Sequence, residues 1–490
     1  MAGMTRICSI FALLLVSLGS IAAPMGVDDA QLLLRRAGFG GNQRQIAEYA
    51  ALTREQAVDR LLAGGRTGAS TPAPEWVNDP VARPGKLKDL TEEDRKALLR
   101  DLRAKSVELR GWWMHEMIVT PSPLTERMTL FWHNHFVSSQ QKVKSPPLMY
   151  RQNLLLRRHA LGNFADLLHA VSKDSAMIIY LDTAANRSGQ PNENFAREVM
   201  ELFTLGEGHY TESDVKEAAR AFTGWSIERE TFAFRFRPFV HDQGIKTVLG
   251  RTGNFDGDQV LDILLAQPAT AEFVTAKLWR EFISPKPDPV EVARIARSFR
   301  TSGYSIQVAL RAILTSDAMY AANNRASLVK SPVDLIVGTL HQFDIETGDA
   351  LPFAIASRQF GQDLFAPPNV KGWPGGETWI NSTTLLGRKQ FLDRLFQVAD
   401  AESGMRQGIV REAMPRKVSG DGDAPRGKFA RAVLDVRFDS TTWLGAVGSG
   451  SQGNVERLLL AAAPVNPIPA DARGADLIRR VTQDPVYQLK

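Results

Sequence analysis

The chain has 490 residues, a hydrophobic content of 44% and a single cysteine, Cys8. Its 59 Lys and Arg residues against 54 Asp and Glu residues give a net charge of +5, which is nearly balanced for this length and gives no electrostatic reason to expect a nucleic-acid partner. One cysteine excludes intramolecular disulfide bonds and sites with several thiolate ligands, so stability must come from a buried core.

The first 22 residues have the layout of a secretory signal peptide. Arg6 precedes a short apolar run, and Ser20 and Ala22 provide the small residues of a cleavage site. The apolar run is shorter than the roughly 20 residues that cross a bilayer, so we expect cleavage after Ala22 and no membrane span afterwards. The sequence therefore predicts an exported protein, periplasmic or extracellular, made of residues 23–490 and without a thiol.

Helical patterns dominate the remaining chain. Thr53 and Gln56 have the spacing of a capping box, and Gly38 follows a helical pattern as a stop signal. Such signals, with apolar residues at helical spacing, predict helices over residues 28–37, 53–64, 91–119, 122–132, 147–160, 163–173, 192–205, 211–223, 257–266, 268–283, 289–301, 305–315, 328–343 and 382–399.

One stretch favours strands instead. Residues 231–239 (TFAFRFRPF) alternate aromatic and other side chains, and IKTVLG follows shortly after, so we expect one small hairpin. Residues 64–85 and 402–428 are rich in Gly and polar or Pro residues and are predicted to be exposed loops. The expected fold is mainly α: a single large multi-helix globular domain with a small β-hairpin insertion.

The segment FWHNHF carries two histidines. His133 and His135 lie two residues apart, which places their side chains about 200° from each other on a helix. They can bind one ion together only if the helix ends near Trp132. In the alternative, one histidine caps the preceding helix and the other lies in the core with its hydrogen bonds satisfied.

The segment PNENFAREVMELFTLG predicts an amphipathic helix with an acidic face. Glu198 and Glu201 lie one turn apart on the polar arc that also holds Asn194 and Arg197. On a solvated surface this pattern is ordinary, but under other helices two adjacent carboxylates need a cation, a metal or a shared proton. We take both glutamates as candidate catalytic residues, and Asn192 and Asn194 as candidate substrate contacts.

These residues suggest a metal or hydrolytic site. Its candidate metal ligands are His133, His135, His241 and Asp242, beside the two glutamates. Carboxylate and imidazole ligands suit Zn, Mn or Fe, and acids at i,i+3 resemble half of a helical-bundle dimetal site. The other half, a Glu-x-x-His pair, is missing.

Two further motifs have alternative roles. WPGGETWIN places Trp373 and Trp379 around a Gly-Gly turn, where the rings either present faces to sugars as substrate contacts or pin the loop onto helices. The arginine pairs of LLLRRAGFGG and LRRHALG either bind phosphate or an acidic partner, or form intramolecular ion pairs. The sequence contains no P-loop, Rossmann or GxSxG motif.

Several long runs resemble the domain of unknown function 1800 (DUF1800) family, a bacterial group whose members usually carry an export signal. They include LLLRRAGFGG, MTLFWHNHFVSS, PNENFAREVMELFTLGEGHYTESDVKEAARAFTGW and FAPPNVKGWPGGETWIN. Together such runs cover most of the chain in the expected order, and the tail from about residue 401 matches more loosely. The resemblance brings no established activity, substrate or catalytic residue.

The resemblance does imply a neighbour, because genes of this family often lie beside those of a second family, of the DUF1501 type, that looks like sulfatases and alkaline phosphatases. Two functions therefore stay open. The protein is either an accessory or interaction protein that acts with this exported sulfatase-like neighbour, or a metal-dependent hydrolase with a Glu/His site.

Overall fold

The computed structural model describes residues 23–81, 90–399, 436–448 and 451–490. The predicted signal peptide, the end of the predicted loop 64–85 and the predicted loop 402–428 lie outside these ranges. Within them, the first part of the loop at 64–81 is mostly exposed, but Trp76 and Val77 are buried in a single 3-10 turn.

The described residues form 22 α-helices. They are α1 Gly26–Gly38, α2 Gln43–Ala50, α3 Arg54–Ala63, α4 Glu92–Val119, α5 Pro123–His135, α6 Gln140–Val143, α7 Pro146–His159, α8 Phe164–Ser172, α9 Ser175–Tyr180, α10 Glu193–Glu198, α11 Glu212–Ala221, α12 Gly257–Ala266, α13 Pro268–Phe282, α14 Pro289–Thr301, α15 Ile306–Leu314, α16 Asp317–Tyr320, α17 Pro332–Gln342, α18 Leu351–Gln359, α19 Ser382–Ala399, α20 Ser440–Ala446, α21 Gln452–Leu459 and α22 Gly474–Gln483. A π-helix, Val199–Thr204, continues α10 directly.

Local sequence explains many of the helix starts. Proline occupies the first position of α5, α7, α13, α14 and α17, where its missing N–H costs no hydrogen bond. Complete capping boxes begin α3 at Thr53 and α12 at Asp256. The predicted capping box at Thr53 and Gln56 is therefore confirmed.

The β segment contains two short antiparallel hairpins. In the first, β1 (Trp225–Ile227) pairs with β2 (Phe234–Phe236), and in the second, β3 (Lys246–Val248) pairs with β4 (Arg251–Gly253). Residues 231–239 and the run IKTVLG, which the sequence predicted to pair in one hairpin, thus belong to two different hairpins. β1 was missed because Trp225 follows a helix and its strand is only three residues long.

The core is continuous through the helices. Buried apolar side chains form a cluster that reaches from Leu33 of α1 to Val481 of α22. Its largest fully buried members are aromatic: Trp113, Trp132, Trp279, Tyr487, Phe136, Phe164, Phe195 and Phe203. The prediction of a mainly α fold with a small β insertion is confirmed. In the part of the chain that is described, no helix is both long and apolar enough to cross a membrane.

Candidate functional site

The acidic helix predicted from the sequence starts at a capped end. Asn192 precedes α10, and its side-chain oxygen accepts a hydrogen bond from the backbone N–H of Asn194 (3.0 Å). The side chain of Asn194 donates to the carbonyl oxygen of Leu181 (3.0 Å). Both asparagines, which the sequence suggested as substrate contacts, therefore tie the start of this helix to the fold.

After Glu198 the helix widens into the π-helix. The backbone N–H groups of Leu205 and Gly206 both donate to the carbonyl oxygen of Met200, at 2.8 and 3.2 Å. Gly206 has φ +80°, so a left-handed residue ends the segment. Single π-helical turns are rare and occur often at functional sites, because they alter the spacing of the side chains they carry.

Side chains from two other helices satisfy the last carbonyl groups of the π-helix. Lys277 of α13 donates from Nζ to the carbonyl oxygen of Leu202 (3.1 Å). His135 of α5 donates from Nε2 to the carbonyl oxygen of Phe203 (3.0 Å). A helix end needs such partners when its carbonyls are withdrawn from water, so α5 and α13 fix this end of the acidic segment.

Glu198 and Glu201 lie half-buried on one side of this segment. The hydroxyl of Tyr210 donates a hydrogen bond to Oε2 of Glu201 (2.6 Å). Burial raises the pKa of Glu198, and the charge of Glu201 raises it further, whereas the cations Arg197 and Lys371 oppose the shift. Glu198 therefore holds a proton at higher pH than an ordinary glutamate does, while its exposed part remains within reach of a ligand.

Arg197 does not pair with Glu201, although the two residues are spaced i,i+4. It pairs instead with Glu212 of α11 (2.7 Å) and with Glu193 (3.2 Å). The two candidate catalytic carboxylates therefore keep no arginine partner within ion-pair distance in the described residues, and Tyr210 is the neighbour that orients Glu201.

His133 lies in an aromatic cage. Helix α5 continues through His135, so the condition that the helix should end near Trp132 is not met. The ring of His133 contacts those of Trp113, Phe365 and Trp373 at centroid distances of 5.3, 5.7 and 5.6 Å. Nε2 of His133 is buried without a hydrogen-bond partner among the described residues, and burial lowers the pKa of His133 to about 3. The imidazole is neutral across the physiological range.

His135 points to the opposite side of α5, and both of its ring nitrogens are engaged. Nδ1 accepts a hydrogen bond from Nζ of Lys277 (3.0 Å), and Nε2 donates to Phe203 as described above. Burial and the charge of Lys277 place the pKa of His135 well below its ordinary value. Burial also lowers the pKa of Lys277 to about 8.

His241 and Asp242 lie elsewhere, within the connection between the two hairpins. Nδ1 of His241 donates to the carbonyl oxygen of Thr223 (2.8 Å), and the backbone N–H of Asp242 donates to the Thr223 hydroxyl (2.8 Å). Arg220 of α11 forms a two-pronged ion pair with the carboxylate of Asp242 at 2.9 and 3.0 Å. These bonds fix the connection to α11.

Residues 236–245, which include His241 and Asp242 at their base, form what we call the aromatic loop. It exposes three large apolar side chains: Phe239 is 82% exposed, Ile245 64% and Phe236 40%. The loop packs closely on Gly224, which has φ +87° and whose added Cβ would lie 2.7 Å from the carbonyl oxygen of Arg237. Only glycine suits both the backbone conformation and this approach.

Trp373 and Trp379 are both buried, at 4% and 6% exposure. The backbone N–H of Trp373 donates to Oδ1 of Asn134 (2.7 Å), between the two histidines of FWHNHF. The tryptophans thus hold their loop against the helices, which is the second of the two roles that the sequence suggested. Their buried rings offer little surface to a sugar.

The structure therefore distributes the predicted ligands over separate places. His133 lies among aromatic rings, His135 lies at the π-helix end, and His241 with Asp242 lies at the base of the aromatic loop. Among the residues that the structure describes, no three His, Cys, Asp or Glu side chains are placed to hold a metal ion. The shared Zn, Mn or Fe centre suggested by the sequence has no ligand set in this part of the chain.

Sequence patterns did not identify several residues that contact or influence the predicted site residues. Lys277 and Lys371 lie far along the chain from the side chains they affect, and their roles depend on long-range packing. Tyr210 is nine residues from Glu201, but it lies in the turn after the π-helix, where no helical spacing indicates the contact.

Comparison with known families gives one match. The model described as "Protein of unknown function (DUF1800)" matches residues 32–487, which include the acidic helix, the aromatic loop and the final helix. The searches of curated proteins and of solved structures give no match.

Proposed function

The chain belongs to the DUF1800 family, whose function is unknown, and on that premise we propose that it is an exported accessory or interaction protein that acts with a neighbouring sulfatase-like protein of the DUF1501 type. The observation that carries this proposal is the ring of Phe239, 82% exposed on the aromatic loop. Large aromatic side chains held in water are typical of protein interaction sites, where they supply much of the binding energy.

The fixed base of the aromatic loop supports the proposal. Beside the Arg220–Asp242 ion pair, Lys246 donates from Nζ to the carbonyl oxygens of Asp242 (2.6 Å) and Gly244 (3.0 Å). A loop that is ordered before binding loses little conformational entropy when a partner covers it. Exposed rings on a rigid support therefore suit a docking role better than a flexible loop would.

The charges around the loop indicate what the partner offers. Arg235 has a side chain that is 57% exposed and lies 3.6 Å from Glu228, and Arg237 lies between the two exposed phenylalanines. We expect the partner surface to combine an apolar pocket for Phe239 with an acidic rim, because opposite charges orient partners as they meet.

The test is binding between the purified protein and the sulfatase-like protein encoded beside it. Phe239→Ala should weaken binding by about tenfold or more, as expected for an interface anchor. Val290→Ala is the matched control, since Val290 is 76% exposed on a different surface, at the start of α14. Binding that is unchanged by Phe239→Ala would overturn the proposed role of the loop.

Export belongs to the same proposal and rests on the layout of residues 1–22. Mass spectrometry of the protein recovered from the periplasm or the medium should find Ala23 at the N-terminus. Full-length protein that stays in the cytoplasm would contradict this part.

A further inference from the structure

A cleft of about 360 Å³ lies between α1 and the segment that contains α21. Its walls come from Asp28, Gln31, Leu32 and Arg35 of α1, from Arg325, and from α21 with the residues that follow it. The cleft is separate from both the acidic helix and the aromatic loop. Its volume falls at the lower end of the roughly 300–1,000 Å³ of small-molecule sites.

Arg35, from the motif LLLRRAGFGG, is the central cation of this cleft. The residue is only 6% exposed, yet among the described residues its guanidinium makes one hydrogen bond, from Nη2 to the carbonyl oxygen of Leu458 (2.7 Å). Its Nε is buried without an acceptor. A buried guanidinium with an unused donor and no carboxylate partner is costly, and an anion would relieve that cost.

The interior behind Arg35 carries more positive charge than its acids balance. Asp334 accepts from Arg127 and from Lys490 (2.7 Å), and Glu281 accepts from Arg127 (3.2 Å). These two carboxylates are therefore already shared by two cations.

Two further buried arginines have only neutral acceptors among the described residues. Arg36 donates to the carbonyl oxygens of Phe282 (2.8 Å) and Ile283 (2.7 Å). Arg388 leaves its buried Nε and Nη2 without partners. Arg36 and Arg388 therefore add positive charge behind Arg35 that no described carboxylate pairs with, in an interior where water screens charge weakly.

Two more guanidinium groups lie nearer the solvent. Arg325 pairs with Asp29, and Arg457 is exposed on α21 with no ion pair to another described residue. The acids in the cleft are Asp28, which is exposed, and Glu456, which accepts a hydrogen bond from Gln452 (2.7 Å). Three arginines thus line the cleft, with Arg35 at the buried floor, Arg325 in the wall and Arg457 at the exposed rim, and they outnumber the two acids.

The remaining lining is apolar. Apart from Gln31 and Gly453, it consists of Leu32 on one side and residues 460–464, Leu-Ala-Ala-Ala-Pro, on the other. We propose that the cleft binds a small organic anion, whose carboxylate, phosphate or sulfate group is held by Arg35 and Arg457 and whose apolar body packs against Leu32 and residues 460–464. Guanidinium groups recognise all three head groups through paired N–H donors.

The test uses the full protein and four probes: benzoate, phenyl phosphate, phenyl sulfate and the neutral benzyl alcohol. Calorimetry and thermal unfolding should show that at least one anion binds and raises the melting temperature, whereas benzyl alcohol does neither. The strongest of the three anions identifies the head group. Added salt should weaken its binding, because the rim arginine is exposed to solvent.

Arg457→Gln should weaken binding of that anion about fivefold without affecting folding, since the residue is exposed. Arg44→Gln is the matched control, because the Arg44 side chain is 82% exposed on α2, away from the cleft. Arg35→Lys should weaken binding further, and if that variant fails to fold, Arg457→Gln still decides. Absence of anion binding at about 10 mM, equal binding of benzyl alcohol, or unchanged binding by Arg457→Gln would each overturn the proposal.

Discussion

Nζ of Lys277 donates a 3.0 Å hydrogen bond to Nδ1 of His135, and each of the two side chains also binds a carbonyl group at the end of the π-helix. A lysine of α13 and a histidine of α5 therefore act together on the segment that carries Glu198 and Glu201. The pair explains why a histidine that resembles a metal ligand in sequence has a structural role here.

His135→Ala should destabilise the protein by about 2–4 kcal/mol, because it opens a cavity and leaves the Phe203 carbonyl and the Lys277 ammonium without their partner. Urea unfolding measures this change. His209→Ala is the control, since His209 is exposed on the loop after the π-helix. A loss below about 0.5 kcal/mol would show that His135 does not support the helix end.

Arg157→Met should cost about 3–5 kcal/mol, because it leaves the buried carboxylate of Glu126 without its cation. Arg157 donates to Glu126 at 2.5 and 2.9 Å and to Asn153 at 2.7 Å, and is fully buried. Arg158→Met is the control, since the second arginine of LRRHALG is exposed. Equal unfolding free energies for the two variants would contradict the assignment of this motif to an internal ion pair.

Stability should fall with rising pH through the titration of His169. Its two ring nitrogens donate to Asp258 and Asp262, each at 3.0 Å, and the hydrogen bond to Asp258, followed by that to Asp262, raises the pKa of His169 despite partial burial. A raised pKa in the folded state adds stability that is complete below about pH 6.5 and is lost as pH rises through the folded value.

The variant His169→Gln isolates this effect. Its deficit relative to the natural protein should be about 0.5–1 kcal/mol near pH 5.5, since the pair is partly solvent-screened, and should shrink towards pH 8. Unfolding midpoints in urea at several pH values give the comparison. A deficit that is independent of pH would mean that His169 is not protonated when it binds the two aspartates.

Local sequence signals, such as capping residues and apolar residues at helical spacing, predicted much of the fold. Thr53 with Gln56 marks the start of α3 as predicted, whereas the helix predicted from residue 328 begins at Pro332. Eight helices among the described residues were missed: α2, α6, α9, α16, α18, α20, α21 and α22. None is longer than ten residues, so the apolar pattern repeats over fewer than three turns and gives a weak signal.

The candidate site was harder to predict, because its partners are distant in sequence. Spacing placed Glu198 and Glu201 on one side of a helix, but no pattern indicates that the helix widens after Glu198 or that Lys277 reaches its end. The pairing of β2 with Trp225–Ile227 likewise depends on tertiary packing. Trp225 packs edge-on against Phe222 at a centroid distance of 5.0 Å, and this contact fixes the position of β1.

The tripeptide His133-Asn134-His135 joins three distant stretches of the chain through consecutive side chains. His133 enters the aromatic cage, Asn134 accepts from the Trp373 backbone, and His135 binds the carbonyl of Phe203. Inserting one residue before this tripeptide would turn all three side chains by about 100° around α5 and aim each at the wrong neighbour. The spacing along this helix is therefore constrained as tightly as the residue types, because each of the three contacts depends on both.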